Sequence, residues 1–335
     1  MSSLLLDHRT ARATAIAALE RAGAPADHAA TQAELLVEAD LWDRPSHGLM
    51  RLPRVIARIR NGVCDPATRG VAHWRAPAFL EVDGGNGLGP VVANAALDAI
   101  SERARDSGVA LAAVRHNNHL GMLGWYAERV AARGQVLLAL STSEALVHPW
   151  GGRRALVGTN PIAIGVPAEP HPFVLDMATS RVSMGEIHDR ANRGLAIPAD
   201  WALDAAGEPT TDPNAARAGA IAPFGGAKGY ALGLAFEVLV TALTGAAIGR
   251  AVKGTLDATE PCNKGDLFLV AQADSAAAAS LSAYLAEIRH CPPARADAPV
   301  LVPGDRARER RARRLETGIS LPSAVWQEIA CAAAG

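Results

Sequence analysis

Aromatic side chains are scarce in this 335-residue chain, at 4% of the total. Its core therefore has to be assembled from alanine, valine and leucine, which supply most of the 49% hydrophobic share. An excess of one charge is also missing. The 33 basic side chains are matched by 34 acidic ones, which argues against a broad cationic face for nucleic acid or an acidic membrane as the main function. The four cysteines, Cys64, Cys262, Cys291 and Cys331, include no C-x-x-C pair. That spacing suits neither a disulfide framework nor a zinc knuckle, so a reducing cytoplasm is the expected compartment. Met1 to His8 is a short apolar burst followed by charge and does not have the pattern of a cleavable leader. A long uninterrupted apolar run is absent as well. The stretch Ala231 to Ala247 is broken by Gly233, Glu237, Thr241 and Thr244, and reads as a buried helix, not a membrane span. These absences leave a globular α/β chain of enzyme size, long enough for one large core or two ordinary ones.

Periodicity then places the elements. Apolar residues recur at helical spacing over Thr10 to Arg21 and His28 to Leu41, separated by Gly23-Ala24-Pro25, and a third helix is expected from Gly48 to Arg60. Phe79 to Val82 reads as a strand closed by the turn Asp83-Gly84-Gly85-Asn86-Gly87. Pro90 opens a helix that ends at Gly108, the usual asymmetry of Pro at the start and Gly past the end. Val109–Val114, Gln135–Leu140, Ile162–Val166, Phe173–Leu175 and Leu267–Ala271 have strand length, and helices are expected over 121–133, 227–243, 275–289 and 323–333. This alternation favours a sheet with helices packed on it.

Several short segments could carry chemistry. Gly84-Gly85-Asn86-Gly87-Leu88-Gly89 precedes a helix but lacks a clean G-x-G-x-x-G with an acidic residue about twenty positions on, so a plain strand-to-helix turn is the better account. Ser46-His47-Gly48 with Arg51 joins a hydroxyl, an imidazole and a guanidinium. That set suits an anionic carbonyl compound, although a helix cap at Ser46 with solvated neighbours fits the same spacing. His116-Asn117-Asn118-His119 follows a strand; with no acidic partner nearby, a general acid/base histidine is favoured over a metal site. Asp176 ends another strand, where it could accept ribose hydroxyls while the following amides face a phosphate. Pro223-Phe224-Gly225-Gly226-Ala227-Lys228 sets a lysine at the head of an apolar helix, among glycines that permit close backbone approach.

Taken in order and spacing, these segments resemble the type 2 malate/L-lactate dehydrogenase family. That family also holds ureidoglycolate and sulfolactate dehydrogenases, diketogulonate reductase and cyclic imino acid reductases. The resemblance runs over residues 10–315. It rests on Ser46-His47-Gly48-x-x-Arg51, Asn118-His119-x-Gly121, Trp150-Gly151-Gly152, Gly158-Thr159-Asn160-Pro161, Asp176 to Ser180, Trp201-Ala202-x-Asp204, Pro209 to Pro213 and Lys228-Gly229-Tyr230. It implies an NAD(P)-dependent oxidoreductase with a non-Rossmann α/β fold of the sulfolactate dehydrogenase type. A helical part from both chain ends (1–75 with 285–335) would join a central mixed-sheet part (76–284) that binds cofactor and substrate. A homodimer with the cofactor near the subunit interface is implied as well.

Carried over by position, His119 is the preferred acid/base, Ser46 and His47 a relay pair beside it, and Arg51 the clamp for the substrate carboxylate. Ser143, Thr159, Asp176, Met177, Ala178 and Lys228 are implied cofactor contacts, with Gly304, Asp305 and Arg306 on a late loop that touches the cofactor in relatives. Reduction of a 2-oxo acid needs a gripped carboxylate, an oriented carbonyl and a proton donor, and this set meets all three needs. Two departures from relatives stand out. Pro45 takes the place of a common Asp or His and stiffens the approach to the site. Glu186 stands where many hydroxy-acid dehydrogenases carry lysine; the imino acid reductases place an acid there, so a piperideine- or pyrroline-2-carboxylate reductase is the alternative. An i,i+4 pair of Glu186 with Arg190 on a surface helix is the plain reading of the same residue. The tail from Arg306 to Arg314 holds six arginines. Arg306, Arg308 and Arg310 could receive a 2′-phosphate, which favours NADP over NAD, while a solvated amphipathic helix explains them equally well.

Overall fold

The computed structural model describes residues 3–335. Strand β1 (Ser3–Leu6) leads into helices α1 (His8–Arg21) and α2 (Ala26–Leu41). Two 3-10 turns, Pro45–His47 and Leu49–Arg51, run into α3 (Leu52–Arg60). Then come β2 (Val71–Ala76), β3 (Phe79–Gly87), α4 (Gly89–Ser107), β4 (Val109–Asn117), α5 (Leu123–Ala131) and β5 (Gln135–Ser141). Short β6 (Ala145–Val147) and β7 (Val157–Gly158) precede β8 (Ile162–Val166) and β9 (Phe173–Met177). They are followed by α6 (Met184–Asn192), β10 (Ala202–Leu203), α7 (Pro213–Arg217), β11 (Ala220–Ile221) and α8 (Ala227–Thr244). The chain closes with β12 (Gly265–Gln272), α9 (Ala277–His290), α10 (Asp305–Thr317), β13 (Ile319–Pro322) and α11 (Ser323–Ala334).

The central sheet has seven strands in the order β2-β3-β4-β12-β5-β8-β9. Only β3 and β4 run parallel. β12 arrives late in the chain yet lies in the middle, because its run Leu267 to Val270 is apolar towards both faces of the sheet. A smaller sheet has the order β10-β11-β6-β7, and β1 pairs antiparallel with β13, so the two ends of the described chain close on each other. On α1 the buried residues Ala11, Ala15, Ala18 and Leu19 form one helical stripe. These small side chains belong to a single core cluster that extends through Leu35 and Ile100 to Phe268 on β12 and Ile329 on α11. Helices from both ends of the chain thus share one apolar interior with the central sheet.

The register gathers the loops that matter at one end of this sheet. Asp266 at the start of β12 lies opposite Val114 on β4 and Ser141 on β5, and Ile162 at the start of β8 lies opposite Leu140 and Met177. The segments carrying His119, Ser143, Thr159 and Asp176 therefore leave or enter the sheet side by side.

Three expectations are revised. The helix expected from Gly48 to Arg60 starts instead as the 3-10 turn Leu49–Arg51 and becomes α-helical only at Leu52, and Gly48, in an extended conformation (φ −91°, ψ −155°), breaks it from the turn Pro45–His47. The expected turn at Asp83–Gly87 is strand, with a shift in pairing between Asp83 and Gly87. Helix α8 is not buried all round. Gly229, Gly233, Glu237, Val240 and Thr244 are buried and Phe236 and Leu243 are partly buried against the core, while Leu232, Val238 and Leu239 are 42%, 52% and 45% exposed. By length and composition alone α8 could cross a membrane, but its inward stripe packs on the central sheet and carries Glu237.

Candidate active site

The two 3-10 turns carry three of the expected residues. Pro45 opens the first turn with the fixed φ that such a start accepts. Ser46 Oγ and His47 Nδ1 lie 3.0 Å apart, and Arg51 Nε donates to the Ser46 carbonyl at 2.6 Å. That bond turns the guanidinium back over its own loop. Arg51 pairs with no carboxylate among the described residues.

His119 comes from the other side, on the loop after β4, and its ring stacks on His47 with centroids 5.5 Å apart and an interplanar angle of 27°. Gly121 N–H donates to His119 Nδ1 at 3.0 Å, so the neutral ring carries its proton on Nε2. Burial pushes the His119 pKa well below the ordinary histidine value, and Arg51, His47, Lys264 and Arg54 push it further in the same direction. Burial, then Arg51 and Arg44, take His47 down to about 3. Both imidazoles are therefore neutral at pH 7 in a surrounding of cations. Burial and Arg54 also lower Arg51, to about 10, which leaves it charged.

A second group of expected residues gathers nearby. Ser143 Oγ accepts from Thr159 N–H at 2.9 Å and lies 3.1 Å from Thr159 Oγ1, and Thr179 N–H donates to the Thr159 carbonyl at 2.8 Å. Phe224 N–H then bonds the Thr179 carbonyl, which leads to the head of α8. There Gly225 and Gly226 have φ of 59° and 64°, a conformation that favours glycine, and no side chain caps the helix. Lys228 is exposed on the first turn and has no ion-pair partner among the described residues. Ser180, bridged to Pro223, has a buried Oγ without a partner. The Trp150 ring packs against Gly226. Asp176 and Met177 end β9, with Ala178 directly after. The Asp176 carboxyl accepts from Gly124 N–H at the head of α5 at 2.8 Å, and burial raises its pKa.

Other expected residues lie apart from these groups. Glu186 bonds Arg190 at 3.1 Å, the i,i+4 pair, and makes no bond to either imidazole. Its helix nevertheless touches the site, because a Cβ on the neighbouring Gly185 would lie 2.9 Å from Ser46 Cβ. Asp305 is bound bidentately by Arg289 at 2.8 and 2.9 Å, which, with Val302 N–H and Arg308, holds its carboxyl down at about 2. Gly304 precedes it with φ 99°. Arg308 and Arg310 pair with Asp305 and Asp43, and Arg311 and Arg314 reach Glu38 and Asp43. Most of the basic tail is thus committed to protein carboxylates; Arg306 and Arg313 are exposed and form no ion pair among the described residues.

Sequence reasoning missed two cations beside His119, Lys264 and Arg54. Lys264 and Asp266 form a buried pair at 2.5 and 2.6 Å, and Asp266 also accepts from Ser141 Oγ and Asn117 Nδ2. A charge on each side of Gly265 at the start of an apolar strand was the available signal. Arg54 lies three residues from Arg51 and four from Arg58, on one helical face, a spacing that could have marked it.

Comparison with known proteins gives a consistent result. The family model described as malate/L-lactate dehydrogenase matches residues 6–330. The chain is 39% identical over 251 residues to (2R)-3-sulfolactate dehydrogenase (NADP(+)) of Chromohalobacter salexigens, covering 74% of each chain. It is 33% identical over 333 residues to delta(1)-pyrroline-2-carboxylate reductase 1 of Burkholderia ambifaria, covering 98% of this chain and 97% of the relative. Its fold is similar to the crystal structure of a dehydrogenase from Sinorhizobium meliloti, with a TM-score of 0.95, 50% identity, and 99% and 98% of the two chains covered.

Proposed function

Because this chain belongs to the malate/L-lactate dehydrogenase family, it is an oxidoreductase, and we propose that it reduces a small 2-oxo acid to the 2-hydroxy acid with a nicotinamide cofactor. The observation that carries this reading is the stack of two neutral histidines beside Arg51, a guanidinium with no carboxylate partner among the described residues. Arg51 grips the substrate carboxylate through its free Nη edge. His119, held through Nδ1 by Gly121, presents its Nε2 proton to the carbonyl oxygen; a neutral imidazole is a competent electrophilic donor in such a setting. When bound, the nicotinamide supplies the hydride that reaches C2. His119 gives its proton to the developing alkoxide, and the Ser46–His47 pair restores that proton from solvent.

The cofactor fits the second group of residues. Free N–H groups at the head of α8, the Gly225-Gly226 turn, the Lys228 ammonium and the unpartnered Ser180 hydroxyl form a cradle for a phosphate oxygen. Ser143, Thr159 and Asp176 to Ala178 line the approach to it, and of Arg306, Arg308 and Arg310 it is Arg306 that has no carboxylate partner among the described residues and is left for a 2′-phosphate. NADPH is proposed ahead of NADH, following the NADP-dependent relative. The cyclic imino acid reading draws on the similarity to the pyrroline-2-carboxylate reductase, but the carboxylate it relied on, Glu186, is occupied by Arg190. Initial rates with NADH and NADPH across 2-oxo acids and cyclic imino acids test both readings. Faster reduction of an imine than of any 2-oxo acid would reverse their order.

We also propose a homodimer formed on the outer face of α8. Leu232, Val238 and Leu239 are exposed there, with Leu156 and Ile248 beside the Gly249 end of the same face, an apolar patch of the kind that a partner covers. Its continuity with Lys228 brings the interface next to the cofactor cradle. Sedimentation should give a dimer for the wild type and a monomer for Val238→Asp; a monomeric wild type refutes it.

A further inference from the structure

Three of the side chains that meet at the histidine stack hang from one loop. Ser46 and His47 sit on the first 3-10 turn and Arg51 on the second. The loop arches over a single buried group, the carboxyl of Asp40 in the last turn of α2, which is 1% exposed. Asp40 Oδ2 accepts from Leu49 N–H at 2.8 Å, the first amide of the second turn. Gly48 rests directly on the same carboxyl, so closely that a Cβ there would overlap both oxygens. Asp40 Oδ1 is buried and has no partner.

The base beneath the loop is braced from the far end of the chain. Arg314 Nη1 donates to the Asp40 carbonyl at 2.5 Å and Nη2 to Asp43; Arg310 pairs with Asp43 at 2.9 Å, and Arg311 with Glu38 at 2.8 Å. A plain turn cap would be solvated and would not leave one oxygen buried and unmet, an arrangement that costs stability. Burial also raises the Asp40 carboxyl to about 7, against the opposing pull of Leu49 N–H and Arg314. A costly group set under a loop that bears three site residues calls for a role in that site.

We propose that Asp40 is a positioning residue: by holding Leu49 N–H and seating Gly48, its carboxyl sets the loop conformation in which Ser46, His47 and Arg51 meet His119. The proposal deepens the reductase reading and rests on it for its consequence in catalysis. The clamp itself can be observed without turnover.

The test uses the full chain with Asp40→Asn, which keeps an acceptor for Leu49, and Asp40→Ala, which removes it. Hydrogen exchange of the segment 45–52 reads the clamp, and KM, kcat and the cofactor Kd read its consequence. In Asp40→Ala, exchange in 45–52 should accelerate at least tenfold and KM for the best substrate should rise at least tenfold. The cofactor Kd should stay within twofold, because Ser143, Thr159 and Lys228 stand on other elements. Asp40→Asn should keep KM within about threefold of the wild type. If Asp40→Ala does not fold, Gly48→Ala replaces it, since the new Cβ displaces the carboxyl from above. Wild-type exchange and KM in the displaced-clamp variant would overturn the proposal, and so would equal damage from Asp40→Asn. If the wild type reduces no 2-oxo acid or imine, the reductase reading falls, and the exchange result alone decides whether Asp40 clamps the loop.

Discussion

Glu237 offers a prediction whose size can be worked from the structure. It lies in the middle of α8 and is 1% exposed, and its two oxygens serve three donors. Oε2 accepts from Gly158 N–H at 3.0 Å and Asn160 Nδ2 at 2.8 Å, and Oε1 accepts from Gly249 N–H at 2.6 Å. Glu237→Leu preserves the bulk and strands all three. At about 1–3 kcal/mol for each buried donor left unmet, the loss should be roughly 3–6 kcal/mol, allowing for some relaxation. Glu237→Gln can still serve the two donors on Oε2, but its amide then faces Gly249 N–H, so the expected cost is about 1–3 kcal/mol. The assay is urea denaturation at one fixed protein concentration, since association would add its own stabilisation. Gly158 adjoins the Thr159–Ser143 contact, so cofactor Kd should weaken in the same order as stability. Glu237→Leu costing less than about 1 kcal/mol, or Glu237→Gln costing as much as Glu237→Leu, would refute the assignment of Glu237 as the joint between α8 and the cofactor side.

Other outcomes follow from the same geometry. The C2–H proton resonances of His47 and His119, assigned with His→Gln variants, should not titrate between pH 5 and 8, because both rings are held neutral; a midpoint near 6.5 for either would contradict this. Asp40 titrates higher folded than unfolded, so the folded chain holds its proton longer and stability falls as pH rises from about 4 to about 7. Asp40→Asn should thus gain unfolding free energy over the wild type across that window, by up to a few kcal/mol, and a difference in stability that stays constant with pH would argue against it. Gly185→Ala places a Cβ 2.9 Å from Ser46 Cβ and should raise substrate KM severalfold with little change in Tm; an unchanged KM would show that α6 does not support Ser46. Lys228→Ala removes one charge from the cofactor cradle and should weaken cofactor binding about tenfold, a loss of about 1.4 kcal/mol, as read by quenching of protein fluorescence.

Local spacing made much of this molecule legible in advance. Apolar residues at helical intervals marked α1 and α2, Pro90 and Gly108 bracketed α4, and short apolar runs marked β4, β5, β8 and β12. Ser46, His47 and Arg51 came forward as one group because they lie within one short segment, and the same closeness in sequence made the Glu186–Arg190 pair visible. Strand β1 was missed because four largely exposed residues carry no period, and they are strand only through their pairing with β13.

What residues near in sequence do to one another was thus determined by the sequence alone: the main helices and strands, the grouping on the Ser46–Arg51 loop, and the resemblance to a family. The tertiary structure decided which groups from far apart meet. It brought His119 onto His47, put β12 at the centre of the sheet, and turned one apolar face of α8 outward. It also gave the arginine-rich tail to Glu38 and Asp43 and made Glu237, which in sequence only interrupts an apolar run, the acceptor for three donors. Helical and strand periods record which face of an element is buried. The partner of a buried polar group depends on how those faces assemble, and for Arg311 and Glu38 that partner lies 273 residues away.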